Sequence, residues 1–372
     1  MHNFANECMK ILEKFPFPND QALLSNIRSA ADRLFQKLKI LDLATLNISN
    51  YNKKYLREKL VNLRRDLDRS SYLLAWALEN SAIPLNNHIF LEYGGGIGML
   101  SLFAKELGIG TVIYNDIYDI SCQDAKTLAD ILKLEADNYV HGDIDEVLEF
   151  FKTRNINCDV VTSYDVIEHI YDIKSFLRKI SLLSNGNLRV CLASGANTYN
   201  SLIRRRIIKL QVEAEYKDRE KVWGHKERDT LKSYFKIRNE IIRNHLTEID
   251  SQLNEDDILK LVIHTRGLKK ADIERYLDDF IKTNIFLPKL IHPTNTCDPY
   301  TGNWKENLME PYFLAEVLNK CGFDAMILNG YYGNSTSIIK RYLGRVLNLL
   351  IYAFKRQGIR FAPFYMIFGI RK

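Results

Sequence analysis

The stretch FLEYGGGIGML, from Phe90 to Leu100, constrains the fold more strongly than any other part of this sequence. An apolar run leads to an acidic residue, Glu92, and glycine then occupies four of the five positions from 94 to 98. A backbone without side chains lets a ligand approach closely, and a helix N-terminus favours ligand binding. The segment therefore predicts a strand, a ligand-binding turn and a helix.

The spacing of the glycines excludes the two common phosphate-binding loops. A dinucleotide fingerprint requires GxGxxG, but the sixth position counted from Gly94 is Met99, and the third counted from Gly95 is Ile97. The Lys-Ser/Thr ending of a P-loop is also missing. The pattern present is ExGxGxG, beginning at Glu92, and it argues against a phosphate ligand.

The rest of the chain is divided by its texture into four regions. Helical spacing of apolar residues predicts a helical N-terminal cap over residues 1–85. Short β-rich runs alternate with helical segments over 86–198, which predicts a parallel α/β core. Charged helical segments and a polar loop predict an insertion over 199–310. The remaining region, 311–372, returns to a helix and two strands of the core.

The composition excludes several classes of protein. The six cysteines are scattered, with no CxxC pair and no histidine at metal-ligand spacing, which argues against a disulfide framework and a zinc site. The N-terminal sequence lacks the features of a secretory signal, and no apolar run approaches the ~20 residues of a membrane span. We therefore expect a cytoplasmic protein with no bound metal.

The net charge of +6 is concentrated at one end of the sequence. Residues 334–372 contain eight basic and no acidic residues, so the rest of the chain carries a formal charge of −2. A surface that binds nucleic acid is usually basic over a wider area. Nucleic acid is therefore not the expected partner.

The basic region contains a predicted amphipathic helix at about 337–356. On a helical wheel that starts at Ile338, ten apolar residues fall on one half of the circumference, and Lys340, Arg341 and Arg345 fall on the other. The apolar side either packs on the protein's own core or lies on an anionic membrane. The second alternative would place the protein peripherally at the inner membrane face. A nucleic-acid surface is a third alternative.

The strand, the ExGxGxG turn and the helix together resemble motif I of the class I S-adenosylmethionine-dependent methyltransferases. The resemblance implies an α/β fold, with a Rossmann-like seven-stranded class I methyltransferase sheet, a helical N-terminal region and a helical insertion. It implies S-adenosyl-L-methionine as cofactor, with Glu92 orienting the loop or meeting the amino group. The implied loop contacts are Tyr93, Gly94, Gly95, Gly96 and Gly98.

Two later segments follow in the order of the same family. VIYNDIYD resembles the acidic end of the second strand, which implies that Asp116 accepts from both ribose hydroxyls and that Ile117 packs on the adenine. HGDIDEV resembles the end of the third strand, which implies that Asp143 accepts from the adenine amine and that Ile144 covers the ring.

The stretch CDVVTSYDVIEHIYD resembles the fourth strand and the turn after it. It is close to the VLEH form of small-molecule O- and C-methyltransferases, and it implies cofactor contacts from Tyr164 and Asp165. His169 lies just past this strand, where a base for a hydroxyl acceptor is expected. A purely structural role in the turn is the alternative, and His225 and His292 are further candidates for the base.

The loop HPTNTCDPYTGNW precedes the helix that leads to the sixth strand, so we expect it at the substrate end of the sheet. Asn295, Asp298, Tyr300 and Trp304 combine hydrogen-bonding groups with aromatic rings, a mixture that suits a hydroxyl-rich ligand such as a sugar. A polar loop held by its own Asx turns is the alternative.

Over its whole length the chain resembles bacterial methyltransferase-domain proteins of polysaccharide biosynthesis. The resemblance rests on LLAWALENS before the glycine turn and on the GNW, GF and APFY segments near the end. It implies methylation of a hydroxyl on a sugar, a glycan or another small molecule. The alternatives are a protein or RNA methyltransferase, with a groove lined by Arg204, Arg205 and Arg206, and a non-catalytic cofactor-binding module. The missing GxGxxG argues against a nicotinamide-dependent oxidoreductase.

Overall fold

The computed structural model of the protein describes residues 16–218, 231–286, 292–333 and 337–371. His225 and the first 15 residues of the predicted N-terminal cap lie outside this part of the chain. None of the described helices is long and apolar enough to cross a bilayer.

The chain forms two compact units. The first comprises Met1–Ile167, Lys174–Asn200 and Glu310–Lys372, and the second comprises Glu168–Ile173 and Ser201–Met309. The short segment Glu168–Ile173 was predicted within the core region but belongs to the second unit. Backbone hydrogen bonds explain this, because the N–H groups of Trp304 and Asn307 donate to the carbonyls of His169 and Glu168 at 3.1 and 2.9 Å.

The first unit contains a mixed sheet. Its strands are Ile89–Tyr93 (β1), Thr111–Asp116 (β2), Asn138–His141 (β3), Val160–Tyr164 (β4), Leu188–Ser194 (β5), Asp324–Asn329 (β6) and Tyr365–Arg371 (β7). Within the described residues the order is β3-β2-β1-β4-β5-β7-β6. Strands β1 to β5 pair in parallel, and β7 is antiparallel to β5 and β6. This confirms the predicted Rossmann-like seven-stranded fold.

Strand β1 lies at the point where the strand order reverses. Phe90 and Leu91 are fully buried, as expected for a central parallel strand covered on both faces. The strand order runs outward from β1 in two directions, through β2 and β3 on one side and through β4 and β5 on the other. A crevice therefore opens at the carboxyl ends of these strands. The glycine turn follows β1 directly and therefore lies at this crevice.

Helices connect the strands and precede them. Within the described residues, those of the first unit are Gln21–Lys39 (α1), Asn50–Val61 (α2), Leu63–Leu78 (α3), Met99–Leu107 (α4), Asp119–Leu132 (α5), Ile144–Arg154 (α6), Ile173–Ile180 (α7, apart from its first residue), Pro311–Lys320 (α12) and Ile338–Ala353 (α13). Those of the second unit are Ser201–Tyr216 (α8), Tyr234–Glu248 (α9), Glu255–His264 (α10) and Lys270–Thr283 (α11).

A buried polar cluster fixes α2 against the core of the first unit. Asp124 on α5 accepts hydrogen bonds from the backbone and hydroxyl of Ser49, at 3.1 and 2.5 Å, and from the amide of Asn52 at 2.7 Å. Ser49 is also the N-cap of α2, since its hydroxyl accepts from the N–H of Asn52. The start of α2 therefore has a defined position on the sheet unit.

The second unit has its own apolar core and a buried ion pair. Arg238 on α9 is fully buried and donates both to Glu215 on α8 and to the carbonyl of Val262, the latter at 3.0 Å. Glu215 also accepts from the hydroxyl of Thr296 at 2.7 Å. Burial alone would raise the pKa of Glu215, but Arg238, Arg266 and Thr296 together outweigh burial and lower it.

We expect Arg238→Met to destabilise the second unit by about 3–5 kcal/mol, because it removes the cation closest to a buried carboxylate and leaves the more distant Arg266, at 3.9 Å. Arg243→Met is the matched control on the same helix. Arg243 pairs with Glu255 at the surface, where such a pair contributes about 0–1 kcal/mol. Differential scanning calorimetry measures both, and equal effects of the two changes would contradict a structural role for the buried pair.

Candidate active site

The glycine turn between β1 and α4 has a backbone conformation that residues other than glycine adopt only with strain. Gly94, Gly96 and Gly98 have φ angles of 71°, 58° and 78°, in the left-handed region. A Cβ on Gly95 would lie 2.5 Å from the ring of Tyr114, so the backbone there approaches the ring too closely for any side chain. The turn therefore needs its glycines for conformation, and it leaves bare backbone at the crevice.

Glu92 is buried at the end of β1 and caps α4. Its Oε2 accepts from the N–H of Ser101 at 2.8 Å and from the Ser101 hydroxyl, and its Oε1 accepts from the N–H of Leu100 at 3.3 Å. Burial raises the pKa of Glu92 to about 7, although the bonds from Ser101 and Leu100 oppose that shift. A ligand cation beside Glu92 would favour its ionised form.

Asp116 ends β2 and holds the glycine turn from the other side. Its Oδ2 accepts from the N–H of Gly96 at 2.8 Å, and its Oδ1 accepts from the N–H of Tyr118 at 2.9 Å. Ile117 follows and is half-buried. The ribose and adenine contacts of these two residues stay predictions.

Asp143 follows β3 at the same edge of the sheet and acts as a helix cap. Its Oδ1 accepts from the N–H of Asp145 at 2.7 Å, and Glu146 completes a capping box with it at the start of α6. Burial, which is partial here, raises the pKa of Asp143. Ile144 is buried. The cap explains why an acid stands at this position, while the adenine contact remains a prediction.

Strand β4 ends with an unusual backbone. Asp165 has a φ of 55°, which is uncommon for a residue other than glycine, and its Oδ1 accepts from the N–H of Gly195 at 2.7 Å. Tyr164 precedes it and packs its ring 5.8 Å from the ring of Phe364. Left-handed residues of this kind are often found where a structure holds functional groups in place.

A cavity of about 70 Å³ brings several predicted residues of the glycine region together. Glu92, Gly94, Gly95 and Tyr164 line it. Asp116, Asp143 and Asp165 are not among the lining residues. Ile97, Met99 and Leu100 of the turn and α4 also line it, and α2 and α3 contribute the remaining wall: Tyr55, Lys59, Asp66, Arg69, Ser70 and Leu73.

The residues from α2 and α3 were missed by sequence reasoning. Lys59 and Arg69 are one cation each in a helical region that contains many, and nothing in their spacing distinguishes them. Only the hydrogen bonds that Ser49 and Asn52 donate to Asp124, together with the packing of α3, place them over the glycine turn. The sequence offered one indirect signal for such a residue. The predicted ligand carries a carboxylate, and a carboxylate is usually bound by a cationic side chain.

Arg69 is the more informative of the two cations. Its Nε is buried and makes no hydrogen bond within the described residues. Its guanidinium lies 5.8 Å from the ring of Tyr164 and 5.5 Å from that of Phe364. Burial alone would lower the pKa of Arg69, but Tyr164, Asp165 and Asp66 outweigh it and raise the pKa. Arg69 is therefore a half-buried cation whose buried Nε is a donor available for an anionic group.

Lys59 is held in a similar environment. It lies 3.7 Å from Asp66 and 5.2 Å from the ring of Tyr55. Burial alone would lower the pKa of Lys59, whereas Tyr55, Asp66 and Asp165 raise it, and the net direction is upward. The cavity thus presents two positive charges beside the bare backbone of the glycine turn.

His169 lies in the second unit, and a hydrogen bond fixes its ring. Its Nδ1 is 2.9 Å from the carbonyl oxygen of Trp304. Because a carbonyl only accepts, Nδ1 carries the proton in the neutral ring and Nε2 has a lone pair. His292 is the other described candidate; burial, with Arg204 and Arg266, lowers its pKa.

His169 also belongs to a cluster of possible metal ligands. Ligand atoms of Glu168, His169 and Glu306 all lie within 4.8 Å of one another, and Glu168 is buried. The sequence predicted no metal here, because Glu306 lies more than a hundred positions after Glu168 and His169. Nε2 of His169 therefore has two alternative roles, as an acceptor of a proton or as a ligand of a metal cation.

The loop from His292 to Trp304 is held by internal hydrogen bonds. The amide oxygen of Asn295 accepts from Gln211 at 2.8 Å and from the N–H of Leu308 at 3.2 Å, and its amide nitrogen donates to Asn307 at 2.6 Å. Both the oxygen and the nitrogen of the Asn295 amide are thus hydrogen-bonded to other residues of the protein. We therefore assign its side chain a structural role in the loop.

The other three predicted substrate residues differ in exposure. Asp298 is buried and accepts from the N–H groups of Tyr300 and Thr301, which is an Asx turn. The indole of Trp304 donates to the carbonyl of Tyr171 at 3.1 Å and stacks on its ring. Tyr300 is 54% exposed. Among these residues it is Tyr300 that presents most of its side chain to solvent.

Comparison with known proteins identifies a family domain in this chain. Residues 91–186 match the model of a family described as a methyltransferase domain. No curated protein matches the chain. Among solved structures, YcgJ from Bacillus subtilis is similar, with 15% identity and a TM-score of 0.28, over 36% of this chain and 55% of its own.

Two further solved structures are similar over most of their length. The plantazolicin methyltransferase BpumL, solved with S-adenosylhomocysteine, has 14% identity and a TM-score of 0.38, over 93% of this chain and 99% of its own. An S-adenosylmethionine-dependent methyltransferase from Mesorhizobium loti has 9% identity and a TM-score of 0.37, over 84% of this chain and 100% of its own.

Residues 91–186 thus form a class I S-adenosylmethionine-dependent methyltransferase domain, and the strand order of the sheet agrees with that class. The protein is an S-adenosylmethionine-dependent methyltransferase, and S-adenosyl-L-methionine is its cofactor. The residues present fit this group, because the glycine turn offers a cradle that a Cβ would fill and Arg69 offers a buried donor.

We expect Glu92→Gln to remove a pH dependence of stability. With a pKa of about 7 in the folded state and an ordinary value when unfolded, the native protein binds more protons between about pH 4.5 and 7. The free energy of unfolding should therefore fall as pH rises through this window, by about 1.4 kcal/mol per pH unit relative to the variant.

Urea unfolding of both proteins at about pH 5 and about pH 7 measures the difference. Glu106→Gln is the control, because Arg33 and Lys37 lower the pKa of Glu106 and keep it ionised across the window. Parallel pH profiles for the wild type and Glu92→Gln would contradict a raised pKa at Glu92.

Proposed function

We propose that the protein transfers a methyl group from S-adenosyl-L-methionine to a hydroxyl of a sugar or glycan. The observation that carries the proposal is the fixed ring of His169, whose Nδ1 donates to Trp304 and whose Nε2 keeps a lone pair. A hydroxyl must lose its proton when it is methylated, and an imidazole nitrogen is suited to accept that proton. The exposed ring of Tyr300 supports a sugar-like acceptor.

The cavity residues suit the methionine end of the cofactor. That end carries a carboxylate and an ammonium group, so Arg69 and Lys59 would hold the carboxylate and Glu92 the ammonium. The buried Nε of Arg69 supports this assignment, because a buried donor without an acceptor is costly and a carboxylate would satisfy it. Gly94 and Gly95 would contribute bare backbone to the same end.

The nucleoside end of the cofactor would lie along the carboxyl edge of β2 and β3. Asp116 would accept from the ribose hydroxyls, and Asp143 from the adenine amine. Their strands are adjacent, with Asp116 in register with His141, which brings the two acids to one edge. Ile117 and Ile144 each follow one of the acids and would cover the ring.

The proposed reaction requires few chemical steps from the protein itself. The cofactor supplies a methyl carbon on a sulfonium, which is already electrophilic. The protein's residues then need to align the acceptor oxygen, keep water away and take up one proton. Nε2 of His169 is the proposed proton acceptor, and the bond to Trp304 keeps the ring in the tautomer that has this lone pair.

An anionic acceptor is the second candidate. Arg204, Arg205 and Arg206 are consecutive and exposed on α8, which favours a phosphate-bearing molecule such as RNA. The same side chains would suit a phosphorylated sugar. The methyl acceptor itself therefore distinguishes the two functions.

Arg69→Met should weaken binding of S-adenosylhomocysteine by about tenfold or more, because it removes a charge-assisted hydrogen bond to the carboxylate. Arg57→Met is the control, since Arg57 is exposed on α2 and does not line the cavity. Isothermal titration calorimetry measures both affinities without any turnover. Equal affinity for the wild type and Arg69→Met would contradict the assigned carboxylate contact.

His169→Asn should lower kcat by about 10²–10⁴-fold while the affinity for S-adenosylhomocysteine stays unchanged. Asparagine keeps an N–H donor for the Trp304 carbonyl but lacks the basic nitrogen. His245→Asn is the control in the same unit, because His245 is engaged with Asp278 at 2.8 Å. Transfer of radiolabelled methyl to cell-envelope glycan fractions is the activity measured.

The same assay tests the acceptor and the role of a metal. Label in glycan fractions supports the proposal. Label in RNA fractions contradicts it and favours the anionic acceptor, and label in protein fractions contradicts both. A base at His169 predicts activity that a chelator leaves unchanged. Loss of activity with a chelator and recovery with a divalent cation would instead assign Glu168, His169 and Glu306 to a metal.

A further inference from the structure

Helix α13, Ile338–Ala353, carries its apolar side chains on the outside. Ile338, Ile339, Tyr342 and Leu343 are 79%, 80%, 72% and 56% exposed, and Val346 is 43% exposed. Their spacing places them on one side of the helix. An amphipathic helix on the surface of a globular protein normally turns this side toward the core. A large exposed apolar surface of this kind marks an interaction site.

The opposite side of α13 contacts the protein. The Asn348 amide accepts from the N–H of Tyr332 at 2.8 Å and donates to its carbonyl at 3.0 Å. A Cβ on Gly344 would lie 3.1 Å from the Cβ of Tyr332, and Ile351 is fully buried. Spacings of four and three residues put Gly344, Asn348 and Ile351 on one side. Packing of the apolar side on the core, one of the alternatives from sequence, is therefore not what the structure has.

Basic residues accompany the exposed apolar side. Lys340, Arg341 and Arg345 are exposed on α13, and no acidic residue occurs between 334 and 372. An apolar surface bordered by cations is complementary to a bilayer with anionic headgroups, where side chains such as Ile and Tyr enter the acyl boundary and Lys and Arg remain at the phosphates.

We propose that α13 docks on an anionic membrane surface, with its exposed apolar side inserted at the headgroup boundary. A second copy of the chain fits this side poorly, because a two-fold interface would bring the same cations together. The proposal goes beyond methyl transfer and does not depend on it.

A groove lies beside the C-terminal part of α13. Its volume is about 880 Å³, and its apolar walls include Trp76 on α3, Met326 on β6 and Tyr352 on α13. Lys355, Arg356 and Glu316 also line it. Apolar walls with a net positive charge are compatible with a lipid chain that ends in an anionic group.

The segment that carries α13 also contacts α3. The hydroxyl of Tyr331 donates to the carbonyl of Asp68 at 2.8 Å, next to Arg69 of the cavity. Tyr332, which Asn348 holds, follows directly. The membrane surface and the cavity are thus joined through one short stretch of the first unit. Where the proposed function holds, this arrangement suits an acceptor attached to a lipid.

Sedimentation with vesicles tests the proposal. The full-length protein should bind phosphatidylcholine vesicles that contain phosphatidylglycerol, bind pure phosphatidylcholine vesicles weakly, and be released by salt. Ile339→Ser with Leu343→Ser, and separately Lys340→Glu with Arg345→Glu, should each weaken binding by about tenfold or more. A Leu343→Trp variant should shift its fluorescence emission to shorter wavelength on binding, which reports insertion.

Matched controls carry the same substitutions at other exposed sites. Ile40→Ser with Leu182→Ser changes two apolar residues that are 84% and 67% exposed, and Lys126→Glu with Lys282→Glu changes two exposed lysines; both should bind like the wild type. Circular dichroism and titration with S-adenosylhomocysteine check that every variant is folded.

Three results would overturn the proposal. They are failure of the wild type to bind the phosphatidylglycerol vesicles, equal loss of binding in the α13 and control variants, and a dimer in solution that only the Ile339→Ser, Leu343→Ser change dissociates. Because vesicle binding requires no turnover, these results leave the proposed methyl transfer unaffected, and absence of methyl transfer leaves them unaffected in turn.

Discussion

The site depends on one buried carboxylate. Glu92 lies near the end of β1, which is buried from Phe90 onward, and its carboxylate caps α4 through Ser101 and Leu100, so the chain must reverse within the intervening turn. That reversal fits only a backbone with left-handed angles and no side chain facing Tyr114. Asp116 then ties the same turn to β2. The sheet, the helix and the bare backbone are therefore consequences of one constraint, and the raised pKa of Glu92 is the energetic cost of placing a carboxylate there.

The walls above this turn have a different origin. Asp124 binds Ser49 and Asn52, which lie more than seventy positions earlier, and thereby fixes the start of α2. Lys59 and Arg69 then come to line one cavity with Gly94 and Gly95. A cavity that combines the carboxylates of Glu92 and Asp66 with two cations suits a zwitterionic ligand end, which a phosphate-binding loop does not. The N-terminal helices thus supply three of the four charged residues that line the cavity.

Helix α13 shows that amphipathicity alone does not give the orientation of a helix. The sequence separates an apolar side from a cationic one, and both alternatives for the apolar side are compatible with that pattern. The decision comes from Asn348 and Gly344, whose contacts with Tyr332 attach the opposite side to the protein. Two hydrogen bonds and a close backbone approach therefore determine which side of the helix meets solvent or a membrane.

The sequence by itself determined the α/β core, the seven strands and the glycine turn, because strand periodicity and backbone-restricted glycines are local properties that survive without tertiary context. The resemblance to the methyltransferase motifs implied positions for Glu92, Asp116 and Asp143 at the ends of three strands. The tertiary structure alone decided that Lys59 and Arg69 reach the cavity, that Trp304 fixes the ring of His169, and that α13 faces outward. Each of these depends on a contact between residues distant in sequence, and no local pattern encodes which distant partner a polar side chain will find.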